Sequence, residues 1–292
     1  MLPLLLVVSL TAQQAQAKSS SALDAQLREA IGASGAEVAV AFRTLDGIDQ
    51  ILIDADKSFH AASTVKVPVM IELFNQARSG TLSLGDSVVI KNEFRSIVDG
   101  TAYSLSEGDD SDKEVYAAAG RTLTLNQLCE AMITVSSNLA TNLLIEKLGV
   151  DKIRGTVTRL GGDVSGGMQV LRGVEDGKAF EKGLNNTTTA RGLMVMLDKV
   201  ARGQAVDARS DAAMVEILKR QKFNDAIPAG VPAGTPVAHK TGNVTRIHHD
   251  ATIVYGPRPY VLVVLVRGIG EKAESAALIA RLSQIVYQSV AR

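Results

Sequence analysis

Short segments with strand patterns lie at both ends of this 292-residue chain, and helical patterns fill the part between them. The strand patterns are apolar runs bounded by turn residues, at 36–45, 50–56, 235–242, 249–256 and 259–268. The first two are joined through Asp46-Gly47, a dipeptide typical of hairpins. Apolar residues at helical spacing dominate from Ser63 to about Gln221, and they predict helices most clearly at 65–78, 125–133, 140–148, 153–160, 189–200 and 212–221. The simplest assembly therefore pairs strands from both ends of the chain in one antiparallel sheet.

We predict an α+β fold in which helices near the two chain ends flank this sheet. These helices are expected at 22–31 and 272–290, where apolar residues share one face. The sheet and its helices form an α/β part, about 18–60 and 222–292, and a mostly helical part, about 61–221, is inserted between them. A cleft is expected where the two parts meet, which is a usual place for a ligand site.

Two stretches fit neither the strand pattern nor the helical pattern. The acidic segment EGDDSDKE at 107–114 is expected to form a solvated loop. The segment 172–186 is rich in glycine and charge and is also expected to be irregular.

Charge and composition argue against several classes of partner. Lysine plus arginine and aspartate plus glutamate each number 31, so the net charge is zero and no basic surplus favours nucleic acid or an anionic membrane. The four histidines form no HxH or HExxH pattern, and the single cysteine, Cys129, permits no disulfide within the chain. We therefore expect a monomer with a small-molecule partner, no metal or other cofactor, and a core position for Cys129.

The first 17 residues have the pattern of a signal peptide. The chain is apolar from Leu2 to Leu10, and Ala15-Gln16-Ala17 has the small-x-small form of a cleavage site. The apolar run is too short to cross a bilayer, and no lysine or arginine precedes it, which departs from the usual pattern. A buried amino-terminal strand is the alternative. The pattern favours export, removal of the leader near Ala17, and a mature protein in the periplasm or outside the cell, without a membrane anchor.

Ser63 stands three residues before Lys66, at the start of a helical pattern that runs from Val65 to Arg78. On a helix these two positions share a face, so the serine Oγ and the lysine Nζ come within reach of each other. A lysine whose pKa is lowered by burial or by nearby positive charge accepts a proton and activates the hydroxyl as a nucleophile. A polar start to an ordinary helix is the alternative, because a chain of this length contains about one S-x-x-K by chance.

Two further motifs place polar groups later in the chain. Ser136-Ser137-Asn138 lies between two helical patterns, where its side chains either project into the cleft or cap a helix. Lys240-Thr241-Gly242 lies on a predicted strand, and by composition such a triplet arises by chance in only about one chain in ten or twenty. A strand that ends in a turn is the alternative for this second motif.

Together and in this order, the three motifs resemble those of the active-site serine family that contains class A β-lactamases and penicillin-binding proteins. The resemblance covers nearly the whole mature chain, and it is carried by FHAASTVKVPVM, LCEAMITVSSNLATNLLIEKLG, NNTTTARGLM and HKTGNVTRIHHDATIVYG. It implies a catalytic domain over 18–292 and a serine β-lactamase that acts through an acyl-enzyme.

The resemblance also implies roles for three reacting groups. Ser63 resembles the nucleophile that opens the lactam and becomes acylated. Lys66 resembles its proton acceptor, acting directly or through water. Ser136 resembles the hydroxyl that relays a proton to the departing lactam nitrogen.

Five more residues are implied to hold the substrate. Asn138 resembles an amide contact for the substrate side chain, and Lys240 and Thr241 resemble the group that holds the substrate carboxylate. Gly242 lets the substrate approach the strand closely. The backbone N–H of Asn243 would form the oxyanion hole together with that of the nucleophile.

The resemblance leaves two candidates for the glutamate that positions the deacylating water. Glu181 stands in EKGLN, at the family's E-x-x-L-N spacing, but only five residues before Asn186, which resembles the residue that closes the loop. If Arg172 opens the loop and Asn186 closes it, the loop has nearly its expected length and Glu175 falls close to the glutamate's place. Loop length favours Glu175 as this glutamate, and Glu181 remains the second candidate. For either residue, the alternative is a solvated loop carboxylate without a catalytic role. An asparagine at 186, where an aspartate is usual, removes the charge pairing with Arg172.

Ser137 is a second departure from the class A pattern, and it keeps other functions open. Ser137 stands where class A enzymes usually carry aspartate, whereas S-x-N alone suffices in penicillin-binding proteins. A D,D-peptidase that acts on peptidoglycan peptides is therefore the first alternative, and efficient deacylation separates it from a β-lactamase. A non-catalytic β-lactam sensor is disfavoured, because Ser63, Lys66, Ser136 and Lys240 are all present.

Overall fold

The computed structural model describes residues 21–291, so the predicted signal peptide, 1–17, lies outside the described residues. The chain begins with a helix and three strands: α1 (21–34), β1 (Glu37–Thr44), β2 (Gln50–Ile53) and β3 (Phe59–His60). A mostly helical part follows: a 3₁₀ turn (Ala62–Val65), α2 (Lys66–Arg78), β4 (Ser87–Val89), β5 (Phe94–Arg95), β6 (Ala102–Tyr103), α3 (Glu114–Ala117), β7 (Thr122–Thr124), α4 (Leu125–Thr134), α5 (Asn138–Leu148), α6 (Val150–Leu160), α7 (Gly177–Glu181), β8 (Thr187–Thr188), α8 (Ala190–Ala201) and α9 (Ala208–Lys219). The last elements are a second 3₁₀ turn (Ile227–Gly230), β9 (Val237–Val244), β10 (Ile247–Val254), β11 (Tyr260–Arg267) and α10 (Lys272–Val290).

The central sheet takes its strands from both ends of the chain, which confirms the predicted α+β fold. Its order is β2-β1-β11-β10-β9, and every neighbouring pair is antiparallel. β1 pairs with β11 over its full length, from Glu37 opposite Arg267 to Thr44 opposite Tyr260. The Arg267 Nε donates to Glu37 Oε2 at 2.7 Å, so the first pair is also joined through its side chains. β9 is left at an edge of this sheet, and it carries the Lys-Thr-Gly motif to that edge.

Each face of the sheet is covered by a different set of helices, because successive side chains on a strand point to opposite faces. Val40 and Val264 pack with Ile279 of α10 in one apolar cluster, which also includes residues of α1. Ala41 and Val263 belong to the other cluster, which is formed with α8 and the helices of the middle part. Cys129 of α4 is fully buried in this second cluster, as predicted.

The boundaries of α2, α4, α8 and α10 agree with the predicted ranges to within one or two residues, whereas α5, α6 and α9 begin earlier than predicted. α10 spans the predicted residues, whereas α5 begins two residues before the expected Ala140, because Ser137 Oγ caps the helix by accepting from Ala140 N at 3.3 Å. α9 begins at Ala208, four residues before the predicted start, because Asp207 accepts from Ser210 N at 2.8 Å. None of the helices within 21–291 is long and apolar enough to cross a membrane.

Candidate active site

Ser63 lies on the 3₁₀ turn that joins the short strand β3 to α2. The residue before it, Ala62, has φ +45°, a left-handed conformation that is costly for a residue with a Cβ atom. Two contacts hold the turn in place: Ala62 N donates to His60 Nδ1 at 3.1 Å, and Ala61 N donates to Asn186 O at 2.9 Å. The turn therefore presents a partly exposed Ser63 while its neighbours are buried.

Lys66, at the start of α2, is fully buried, and its ammonium group is directed to the second motif. Nζ donates to Ser136 O at 2.6 Å, to Asn138 Oδ1 at 2.9 Å and to Ser136 Oγ at 3.0 Å, rather than to Ser63 Oγ. Burial lowers the pKa of Lys66 to about 7, against the opposing effect of the Asp110 and Glu175 charges. A lysine with this pKa is partly neutral near pH 7 and can accept a proton.

Lys240 of β9 reaches the same serine from the other side. It is fully buried, and its Nζ donates to Ser136 Oγ at 3.0 Å and to Thr241 O at 2.9 Å. Burial, and then the charge of Lys66, holds the pKa of Lys240 well below its ordinary value, although the charge of Asp250 opposes them. Because Ser136 Oγ accepts from both lysines, its own proton is left to donate elsewhere.

Asn138, the first residue of α5, links Lys66 to one of the two candidate glutamates. Its Oδ1 accepts from Lys66, and its Nδ2 donates to Glu175 Oε1 at 2.8 Å. Glu175 has φ +60°, and its other oxygen accepts from Ser106 N at 3.2 Å. Glu181 is exposed at the end of α7, and no hydrogen bond joins it to these residues within 21–291. The structure thus brings Glu175, and not Glu181, into contact with the site.

The loop from Arg172 to Asn186 is closed by amide hydrogen bonds instead of an ion pair. Asn186 Oδ1 accepts from Leu171 N at 2.8 Å and from Arg172 N at 3.2 Å, and its Nδ2 donates to Arg172 O at 2.9 Å. The Arg172 guanidinium donates to Leu184 O at 2.8 Å and to Asn185 Oδ1 at 3.0 Å. Arg172 and Asn186 are both buried, so these bonds close the loop that holds Glu175.

The Lys-Thr-Gly strand completes a cleft along the edge of the sheet. A methyl group placed on Gly242 would lie 3.1 Å from Ser63 N, so a side chain at this position would crowd the turn that carries Ser63. Asn243 is exposed at the end of β9, next to the buried Thr241. The cleft has a volume of 270 Å³, and it is lined by Ser63, Ser136, Asn138, Thr241, Asn243 and Lys272, among others.

Three residues near the site, Asp110, Asp112 and His60, were not identified from the sequence. Asp110 and its neighbour Asp112 are 4% and 5% exposed, so the prediction that 107–114 is a solvated loop is wrong for these two carboxylates. They are buried because each accepts backbone hydrogen bonds, Asp110 from the start of α5 and Asp112 from Glu114 N. His60 lies in a segment that carries the resemblance, but only the fold shows that it supports Ala62. None of these residues belongs to the S-x-x-K, S-x-N or K-T-G motif, so no sequence signal marked them as part of a site.

A model of the beta-lactamase enzyme family matches residues 22–290. The chain belongs to this family. A beta-lactamase from Bacillus licheniformis is 30% identical over 156 residues, which are 49% of this chain and 48% of that protein, so the match spans about half the length of this curated relative. A solved structure of an ancestral class A beta-lactamase has a TM-score of 0.78 at 25% identity and covers 91% of this chain and 99% of that one. The structure of PBP-A has a TM-score of 0.79 at 24% identity, and the match covers 92% of this chain and 96% of that one. The two proteins share the fold.

Proposed function

We propose that this member of the family is a serine β-lactamase that hydrolyses the lactam amide through an acyl-enzyme on Ser63. The observation that carries the proposal is the convergence of the two buried lysines, Lys66 and Lys240, on Ser136 Oγ in a cleft that Ser63 also lines. A helix cap or a strand end needs no such pair of desolvated amines. A reaction that moves protons between hydroxyl groups makes use of them.

Acylation uses Lys66 and Ser136 for its two proton transfers. Ser63 Oγ attacks the lactam carbonyl carbon while its proton passes to neutral Lys66, directly or through water. The C–N bond breaks, Ser136 gives its proton to the leaving nitrogen, and Lys66 returns a proton to Ser136, with which it is already hydrogen-bonded. The backbone N–H groups of Ser63 and Asn243 stabilise the oxyanion in this proposal, and Lys240 and Thr241 hold the substrate carboxylate.

Deacylation requires a water that attacks the ester, and Glu175 is the carboxylate that we assign to it. Glu175 takes a proton from the water, and the proton then returns to Ser63 Oγ as the ester C–O bond breaks. The contact between Glu175 Oε1 and Asn138 Nδ2 supports this assignment, since Asn138 also contacts Lys66. The role of Glu181 in this step stays an untested alternative.

The experiment mixes purified mature protein with a chromogenic cephalosporin and follows the first seconds and then minutes. Sustained turnover that Ser63→Ala abolishes is the expected result. Glu175→Gln should accumulate acyl-enzyme, detected as a mass adduct on Ser63, and Glu181→Gln should turn over as the wild type does. If Glu181→Gln accumulates the adduct and Glu175→Gln does not, the two assignments are reversed. If wild-type protein shows neither turnover nor adduct, the proposed function is wrong.

A D,D-peptidase of the penicillin-binding type is the second candidate, and Ser137 is the observation that favours it. Ser137 is fully buried and serves as the N-cap of α5, so an aspartate is not needed at this position. A burst of one equivalent followed by almost no turnover, together with release of D-alanine from a peptide ending in D-Ala-D-Ala, would support this candidate.

The proposed function also supports export of the protein, because β-lactams and peptidoglycan are encountered outside the cytoplasm. We infer that residues 1–17 are removed and that the monomeric mature protein is periplasmic or secreted. Amino-terminal sequencing of protein from the periplasm or the medium tests this inference, and a start near Lys18 is expected.

A further inference from the structure

Asp110 is one of two buried carboxylates, with Asp112, in a mostly exposed acidic loop. It is 4% exposed, whereas Glu107, Asp109 and Ser111 around it are exposed. Burying a carboxylate is costly unless hydrogen bonds or opposite charges stabilise it. The contacts of Asp110 therefore indicate what its burial serves.

The Asp110 carboxylate accepts the first backbone donors of α5. Oδ2 accepts from Asn138 N at 2.8 Å and from Leu139 N at 3.0 Å, while Oδ1 accepts from Asp112 N at 3.1 Å. The first N–H groups of a helix lack acceptors within the helix, and a negative charge there is favourable. Ser137 serves only one of these donors, Ala140 N, so Asp110 supplies the rest of the cap from a different loop.

The start of α5 is also where the candidate site is assembled. Asn138 touches Lys66 and Glu175 through its side chain, and Ser136, two residues earlier, contacts both buried lysines. A shift of α5 by a fraction of an ångström would therefore move groups on both sides of the Lys66 ammonium. A misplacement of about 1 Å can cost about 100-fold in rate, and a smaller shift would also slow the reaction.

We propose that Asp110 is a positioning residue whose carboxylate holds the start of α5, orients Asn138 and Ser136 around the Lys66 ammonium, and sets its own negative charge against that ammonium. The kinetic consequence rests on the proposed acylation of Ser63. The positioning itself does not, because it concerns contacts within this chain.

The Asp110 charge also affects the protonation of Lys66. Other charged and titratable groups face Asp110 and Lys66 as well. Glu175 from the 172–186 loop and Lys240 from β9 face Lys66. Tyr116 of α3 faces Asp110, and burial followed by the Asp110 charge raises the pKa of its hydroxyl, so it stays neutral. Asp110 and Glu175 raise the pKa of Lys66, while burial and the Lys66 charge hold the pKa of Lys240 well below its ordinary value. Removing the Asp110 charge should therefore lower the pKa of Lys66 further.

The test compares Asp110→Asn with Asp112→Asn, a matched variant in the same loop. Asp112 is equally buried and also accepts a backbone hydrogen bond, from Glu114 N at 2.9 Å, but it is not among the charges that act on Lys66. The titration of Lys66 Cε, followed by carbon-13 NMR in lysine-labelled protein, needs no β-lactam. The expected result is a lower midpoint in Asp110→Asn and an unchanged midpoint in Asp112→Asn. An unchanged midpoint in Asp110→Asn, or equal shifts in both variants, would overturn the proposal.

The kinetic arm measures acylation by a fluorescent penicillin as a function of pH. In Asp110→Asn the acidic limb should move to lower pH, since Lys66 becomes neutral there, while the plateau should fall about tenfold because Asn138 and Ser136 are less well held. A cap that acts on stability alone would lower the melting temperature without moving the limb. If wild-type protein is not acylated at all, the proposed function fails, and the NMR titration still decides the role of Asp110.

Asp110→Ser provides a second neutral variant in case the asparagine variant does not fold, because serine is itself a good helix cap. It should give the same shift of the Lys66 midpoint. Failure of both neutral variants to fold, with Asp112→Asn folded, would also contradict the proposal. Asp110 would then be required for the fold as a whole.

Discussion

At the scale of single residues, the proposed mechanism makes the activation of Ser63 depend on the protonation of Lys66. The pKa of this lysine is lowered to about 7, so the neutral form grows as pH rises through that value. Acylation by a chromogenic cephalosporin, measured by stopped flow, should therefore accelerate as pH rises through about 7 and then level off. An acylation rate that is independent of pH between about 5.5 and 8.5 would mean that Lys66 is not the base.

Replacing Lys66 by arginine should separate charge from basicity. Arginine stays protonated in proteins, so Lys66→Arg keeps the positive charge but cannot accept a proton. We expect acylation to fall by about 10²- to 10⁴-fold, the usual contribution of a general base. Lys91→Arg, at an exposed salt bridge with Glu146, serves as the control and should acylate as the wild type does.

His60 supports the 3₁₀ turn that carries Ser63, Ala62–Val65, through a single ring nitrogen. Its Nδ1 accepts from Ala62 N, and burial together with the charge of Arg172 lowers its pKa below the ordinary 6.5, so the ring is neutral and able to accept at pH 7. His60→Ala removes the acceptor and should slow acylation about tenfold, because the left-handed Ala62 is no longer held. His60→Asn places an amide oxygen near the position of Nδ1 and should restore most of the rate. Equal rates in the two variants would show that the hydrogen bond is unimportant.

At the scale of elements, the 172–186 loop depends on Asn186 for its closure. Asn186→Ala leaves the buried N–H groups of Leu171 and Arg172 without an acceptor, which should lower the free energy of unfolding by about 1–3 kcal/mol. Because this loop holds Glu175, deacylation should slow more than acylation. The control is Lys182→Ala, at an exposed position in the same loop, which should change stability by less than about 0.5 kcal/mol. Urea unfolding and pre-steady-state kinetics measure the two effects.

Helix capping accounts for differences between the predicted and the observed starts of helices. The apolar repeat marked α10 correctly, but it missed the first residues of α5 and α9, since caps and the first helical turn need not be apolar. The short helix α7, within 172–186, carries too few apolar residues for any periodicity to show.

At the scale of the whole molecule, α10 covers one face of the sheet that joins the two chain ends. Ile279 is fully buried in this interface, so Ile279→Ala should lower the free energy of unfolding by about 2–5 kcal/mol through lost burial and a new cavity. Glu274→Ala, on the exposed side of the same helix, should cost less than about 0.5 kcal/mol. Urea denaturation compares the two, and a small effect at 279 would mean that this face repacks.

The sequence by itself determined the fold class, the strand and helix patterns and the three motifs, because periodicity and short motifs depend on neighbouring residues. It also favoured Glu175 through loop length, and the structure brings Glu175 to Asn138. Only the tertiary structure decided that Lys66 and Lys240 meet at Ser136, that Asp110 caps α5, and that His60 supports Ala62. Burial and the meeting of groups that lie 70 or 104 positions apart arise from tertiary packing, within the helical part for Lys66 and between the two parts for Lys240, and no local pattern records them.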